Sequence, residues 1–224
     1  WCNGVSIVDI NNDGWDDIYI AVAVHKSMTK TQNLLFINQK TAIPTFKEQA
    51  KEYGLDYSGY TTQSVFFDYD LDGDLDVFLL NTSPDTQNPS YNRVAINDGT
   101  HPSASKLFQN NKTENGHPVF KDVSVKAGIV YEGLGLGVVV SDYNNDNMPD
   151  IYCSNDFLSS DVLYLNNGDG TFRNVVKESM PHTAMSGMGM DAADINQDGK
   201  VDIFQLDMMP EENERQKQML GRQD

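Results

Sequence analysis

Short apolar runs come in pairs along this chain, and each pair brackets nine mostly polar residues. "GVSIV" and "IYI" flank "DINNDGWDD" (9–17), and "QSVFF" and "VFLL" flank "DYDLDGDLD" (68–76). "GLGVVV" and "IYC" flank "DYNNDNMPD" (142–150), and "GMDAA" and "IF" flank "DINQDGKVD" (194–202). Further β-type runs follow as "NLLFIN" (33–38), "KLFQNN" (106–111) and "VLYLNN" (162–167). Then come "TFKEQAKEYGL" (45–55), "VFKDVSVKAGI" (119–129) and "TFRNVVKES" (171–179). In "NNGDGTF" the Asn-Gly and Asp-Gly pairs supply the positive φ angles of a tight hairpin. One unit therefore reads strand, acidic loop, strand, variable loop, strand, turn, strand, and it recurs about every 50–75 residues. Four antiparallel strands at that period predict an all-β chain, a β-propeller of four-stranded blades with hairpin loops. "EQAKEYGL" reads as a helical turn too short to alter the class.

Three units are complete, and the fourth stops after "VDIFQLD" at Asp207. Residues 1–207 are expected to be blades, and 208–224 a polar connection. Propellers close with about four to eight blades, so the pattern predicts part of a longer propeller.

The four nonapeptides share one register, D-x-[DN]-x-D-[GN]-x-x-D. Positions 1, 3, 5 and 9 carry oxygen side chains, and position 7 can offer its backbone carbonyl. The expected ligands are Asp9, Asn11, Asp13, Trp15 and Asp17; Asp68, Asp70, Asp72, Asp74 and Asp76; Asp142, Asn144, Asp146, Met148 and Asp150; Asp194, Asn196, Asp198, Lys200 and Asp202. Trp15, Asp74, Met148 and Lys200 enter through their carbonyls. Position 6 is Gly14, Gly73, Asn147 and Gly199, the residue types that best tolerate a left-handed turn. Oxygen donors around such a turn suit Ca²⁺, about four ions in all, better than Mg²⁺ with its strict octahedron. Zinc would want His or Cys. Turn propensity alone does not explain four copies in one register. An EF-hand loop needs an acidic residue at position 12, where this chain has Ile20, Leu79, Cys153 and Gln205.

Composition narrows the partners. A net charge of −17 disfavours nucleic acid and anionic membrane surfaces, and four bound Ca²⁺ would offset a large part of it. No apolar run is long enough to span a membrane. Cys2 is expected as a small buried residue on a strand, with a lipid anchor or a Cys2–Cys153 disulfide as alternatives. His25, His101, His117 and His182 lie in no sequence arrangement that suggests a triad. The methionines around His182 read as filling for an inner strand rather than a copper site. Trp1 and Trp15 are expected to pack and cover loops.

"NGVSIVDINNDGWDDIYI", "FFDYDLDGDLDVFLLN" and "LYLNNGDGTF" resemble the FG-GAP/VCBS repeats of integrin-α-type propellers. The stretch 182–217 is similar to bacterial surface proteins that pair such repeats with an ASPIC/UnbV-type domain. The resemblance implies a calcium-stabilised, seven-bladed, exported propeller at the bacterial cell surface, with any lipid anchor outside this sequence. It implies a role in recognition or scaffolding, with an outer-membrane nutrient-uptake assembly as the expected setting. Asn147, in place of the loop glycine, predicts a weaker third site.

A partner, protein or glycan, is expected on the face opposite the acidic loops, because loops on a rigid scaffold carry binding. Asn81, Asn155, Asp156 and Asp207 lie there at strand ends, with Tyr91, Asn92 and Arg93 in the longest connection. No catalytic residue is assigned. The alternative is a polysaccharide lyase or hydrolase, for which Asp156 and Asp207 are the best-placed carboxylates.

Overall fold

The computed structural model describes residues 2–23, 32–82, 95–112, 116–156 and 159–208. The first sheet runs β1 (Cys2–Val8), β2 (Asp17–Val22), β3 (Leu34–Asn38) and β4 (Phe46–Glu48). After a single helical turn, α1 (Ala50–Tyr53), the second runs β5 (Thr61–Phe67), β6 (Asp76–Asn81), β7 (Lys106–Asn110) and β8 (Phe120–Asp122). The third is β9 (Gly135–Ser141), β10 (Asp150–Asn155), β11 (Val162–Asn166) and β12 (Phe172–Asn174), followed by α2 (Val176–Ser179). The fourth holds β13 (Gly187–Ala193) and β14 (Asp202–Asp207). Each sheet is a meander, with neighbouring strands antiparallel and in sequence order. Three complete blades and a two-stranded fourth are therefore present among the described residues, the architecture the sequence predicts.

β1, β5, β9 and β13 lie side by side and form the inner wall. Alternation along each second strand decides which neighbour it meets. Tyr19 of β2 faces the second blade, while Val77 and Leu79 of β6 face back to the first. Phe78 and Leu80 of β6 face the third blade, where Ile151 and Cys153 of β10 meet them. Both faces of a blade are thus buried, and β6 and β10 have no exposed residue. Aromatic edges close these contacts, with Tyr19 and Phe66 at 5.5 Å and Phe78 and Tyr164 at 6.5 Å between ring centroids.

The links between blades are local devices. Gly54 closes α1 in the left-handed region, and a Cβ there would lie 2.5 Å from the Phe120 carbonyl of the next blade's outer strand. Gly128 repeats this at φ 80°, with 2.6 Å to the Phe172 carbonyl, while Phe172 N–H donates to the Ala127 carbonyl at 2.8 Å. The helical turn read in "EQAKEYGL" is α1, and its glycine is what seats the next blade.

Cys2 lies on β1 as expected but is exposed rather than buried, and both cysteines are free. Cys153 points between blades 2 and 3 and is fully buried.

Candidate metal-binding loops

Each acidic loop joins the first and second strands of its blade, and all four are wired alike. Asp9 opens the first: its Oδ1 accepts Asp13 N–H at 2.9 Å and its Oδ2 accepts Gly14 N–H at 2.7 Å. Asp68 does the same for Asp72 and Gly73, Asp142 for Asp146 and Asn147, and Asp194 for Asp198 and Gly199. At position 5, Asp13, Asp72, Asp146 and Asp198 accept the N–H of Trp15, Asp74, Met148 and Lys200. Position 9 latches the loop to the blade. Asp17 accepts Ile10 N–H with one oxygen and Asn38 N–H, at the end of β3, with the other. Asp76 holds Tyr69 and Asn110, and Asp150 holds Tyr143 and Asn166. Asp202 keeps only the first bond, to Ile195, because the described fourth blade has no third strand.

The expected left-handed residue at position 6 is present in every copy, at φ 85°, 92°, 66° and 81° for Gly14, Gly73, Asn147 and Gly199. Position 4 is left-handed as well, in Asn12, Leu71, Asn145 and Gln197 at 55–62°. The sequence hid this second turn, because only two of those four are asparagine. Two left-handed residues in one loop turn the side chains of positions 1, 3 and 5 inward.

Position 3 separates the copies. In the third and fourth, Asn144 and Asn196 fold back on Asp146 and Asp198, each bonded through both amide atoms. In the first two, Asn11 Oδ1 and Asp70 Oδ1 are buried without a hydrogen-bond partner. The second loop concentrates charge furthest: single carboxylate oxygens of Asp68, Asp70 and Asp76 lie within 4.8 Å of one another. Burial, with the charges of Asp70 and Asp72 added, pushes Asp76 up to about 7 against the pull of the Asn110 and Tyr69 amides. Burial and the Asp72 charge also raise Asp70. Burial raises Asp17 and Asp150 in the same way. A buried acceptor with no donor, among carboxylates that resist ionising together, is the electrostatic signature of a seat for a hard cation. The residues fit one: a carboxylate has about four lone-pair sites, so its backbone bonds leave acceptors free. At the rims, Lys40 lies 3.0 Å from Asp13 and Lys112 pairs with Asp74. Trp15 stands exposed at its loop tip rather than covering it.

The opposite face departs from expectation. Asn81 is fully buried, donating to the Ala104 carbonyl at 2.9 Å and to Tyr57 Oη while accepting from Thr61 Oγ1. Asn155 is also buried and donates to the Ser160 carbonyl. Both are corrections: strand ends in a meander leave backbone groups to cap, and these amides cap them. Asp207 is exposed, with its two oxygens accepting Met185 and Ser186 N–H, and Asp156 is half-buried. Tyr91, Asn92 and Arg93 lie outside the described residues.

The same face holds a grouping the sequence concealed. His101 Nδ1 lies 2.7 Å from Ser103 Oγ, and its Nε2 lies 3.6 Å from Glu132. Ser103 is buried and accepts Gly133 N–H, so its hydroxyl serves the backbone. Asp122 with Ser124, and Asp169 with Thr171, make the same two-residue turn using carboxylates.

A family model described as FG-GAP-like repeat matches residues 9–79 and 142–204. Cartilage acidic protein 1 from Homo sapiens is 35% identical over 105 residues, covering 46% of this chain and 14% of that protein. The Mus musculus protein is 34% identical over 105 residues, covering 46% and 15%. The Xenopus tropicalis protein is 34% identical over 86 residues, covering 38% and 13%. The chain thus spans a small part of each relative's length.

Proposed function

Because the chain belongs to the FG-GAP-like repeat family, we propose that it is a calcium-clamped, non-catalytic binding or scaffold module working outside the cell. The observation that carries this reading is the unpartnered, buried Asp70 Oδ1 beside Asp68 and Asp76, in a loop whose wiring recurs four times. The ions act structurally. In the first three blades each would tie a loop that is latched, through position 9, to the third strand of its blade. Extracellular calcium modules work at about 10⁻⁴–10⁻³ M, the range in which such loops stay filled.

The likeness to cartilage acidic protein 1 supports an extracellular setting. A bacterial outer-membrane assembly rests on the resemblance of residues 182–217 alone. The partner, protein or glycan, would meet the face opposite the acidic loops, where Asp207 is exposed and Asp156 half-buried. As for a polysaccharide-active enzyme, the carboxylates to test would be the half-buried Asp156 and Asp207, whose two oxygens each accept one backbone amide.

The test is a melting experiment on chelator-stripped protein. Millimolar calcium is expected to raise Tm by more than equal magnesium does. Equal effects of the two ions, or none, would remove calcium from the account.

A further inference from the structure

We infer that the second and third acidic loops bind calcium as a coupled pair through Asn166, while the first loop binds on its own. The inference rests on the calcium reading above and concerns how the sites act on one another. Asn166 ends β11 in the third blade and holds both loops. Its backbone N–H donates to Asp150 Oδ1 at 2.8 Å, the position 9 latch of the third loop. Its side-chain amide donates across the blade boundary to the Tyr69 carbonyl at 2.7 Å. Tyr69 stands between Asp68 and Asp70 in the chain, and its own N–H donates to Asp76 Oδ2 at 3.2 Å. Asp68, Asp70 and Asp76 are the carboxylates with single oxygens within 4.8 Å of one another. The Tyr69 ring is held by the same blade, stacked on Phe172 at 6.1 Å between centroids. Fixing Tyr69 therefore positions ligands of the second loop, and fixing Asn166 positions a ligand of the third.

The boundary between the first and second blades is built differently. Asn110 occupies the place of Asn166 there, with its N–H on Asp76 Oδ1 at 2.8 Å. Its side-chain amide turns to the Leu75 carbonyl of its own blade's loop, at 3.4 Å, and its Oδ1 is buried without a hydrogen-bond partner. Ile10, the counterpart of Tyr69, lines a cavity of about 130 Å³ together with Asn110. Asn110 therefore ties its own loop and leaves the first one apart. The consequence follows from ordering. An ion in one loop orders the residues that carry it. Where a neighbouring loop shares one of those residues, part of its ordering is already done and its affinity rises. Such coupling is reciprocal, so an ion in the third loop favours the second by the same factor.

A calcium titration of the full chain, followed loop by loop through the amide resonances of Gly14, Gly73 and Asn147, tests this. Each of these amides donates to the first aspartate of its own loop. Asp70→Ala disables the second site and is expected to weaken the third about tenfold while leaving the first unchanged. The first and third loops flank the second on either side, so a lost charge acting through space would weaken both. Asp146→Ala is expected to weaken the second site by the same factor. Asn166→Ala keeps the N–H to Asp150 and removes the side-chain amide, and in that background Asp70→Ala should no longer move the third site. Asn166→Ser serves the same purpose should the alanine variant fold poorly. An unmoved Asn147, equal shifts at Gly14 and Asn147, or coupling that survives loss of the Asn166 amide would each overturn the inference while calcium still binds. Loops without any calcium-dependent shift would overturn the calcium reading itself, and the inference with it.

Discussion

Asp161 and Asn33 occupy the same place in their blades, just before the third strand, and do the same work. Asn33 Oδ1 accepts Val22 N–H, and its amide donates to Tyr19 Oη at 2.9 Å. Asp161 accepts Asn155 N–H and the Tyr152 hydroxyl at 2.8 Å. Where the second strand carries Phe78 instead of tyrosine, Ser105 suffices. Burial holds the Asp161 carboxyl above the usual carboxylate range, with the Asp207 charge adding to it. A carboxyl raised by folding favours the native state most below about pH 4, the unfolded value, and that contribution fades as pH rises through the folded value. Asp161→Asn reproduces the arrangement of blade 1 without the charge. It is expected to stabilise the protein by about 1 kcal/mol at neutral pH. It should also flatten the fall in stability as pH rises above the usual carboxylate range. Urea unfolding at several pH values measures both, and a variant that loses stability while keeping the pH slope would contradict this role.

Element by element, the strands and acidic loops were legible because repetition multiplies a weak signal. One "DINNDG" is only a turn; four in register, each bracketed by apolar runs, fix a unit. What stayed illegible depends on neighbours rather than on pattern. The second left-handed residue at position 4 tolerates leucine because the loop wiring holds it. Asn81 and Asn155 look like polar strand ends until the neighbouring carbonyls they cap are known. His101 and Glu132 meet only through folding. Interblade glycines illustrate the same dependence. Gly128→Ala meets both a left-handed φ and the Phe172 carbonyl, and is expected to cost about 3 kcal/mol. Gly168→Ala, at φ 74° with open space around its Cβ position, should cost about 1 kcal/mol. Equal losses in chemical denaturation would mean that the link does not seat the next blade. Among the loops, Asp72→Ala is expected to lower Tm in calcium more than Asp146→Ala. The second loop has a carboxylate at position 3, whereas the third has Asn144 and lacks the glycine. That ranking should vanish in chelator, and a difference that persists there would assign it to backbone capping instead.

For the whole molecule, acidity and fold are one problem. Among the described residues, a chain of net charge −17 gathers most of its buried carboxylates, Asp17, Asp76 and Asp150, at the same end of the first three blades. Burial and mutual repulsion there oppose ionisation, so a cation bound at that end stabilises by mass action on the folded state alone, about 2.7 kcal/mol at a hundredfold excess over Kd. The central claim is that these loops are filled by calcium. Its most direct test is isothermal titration of calcium into the chelator-stripped chain. The account predicts saturable binding with about four sites, the second loop tightest and its share lost in Asp70→Ala. Absence of binding heat together with an unchanged melting temperature in calcium would contradict it, leaving the four loops as turns held by their own hydrogen bonds.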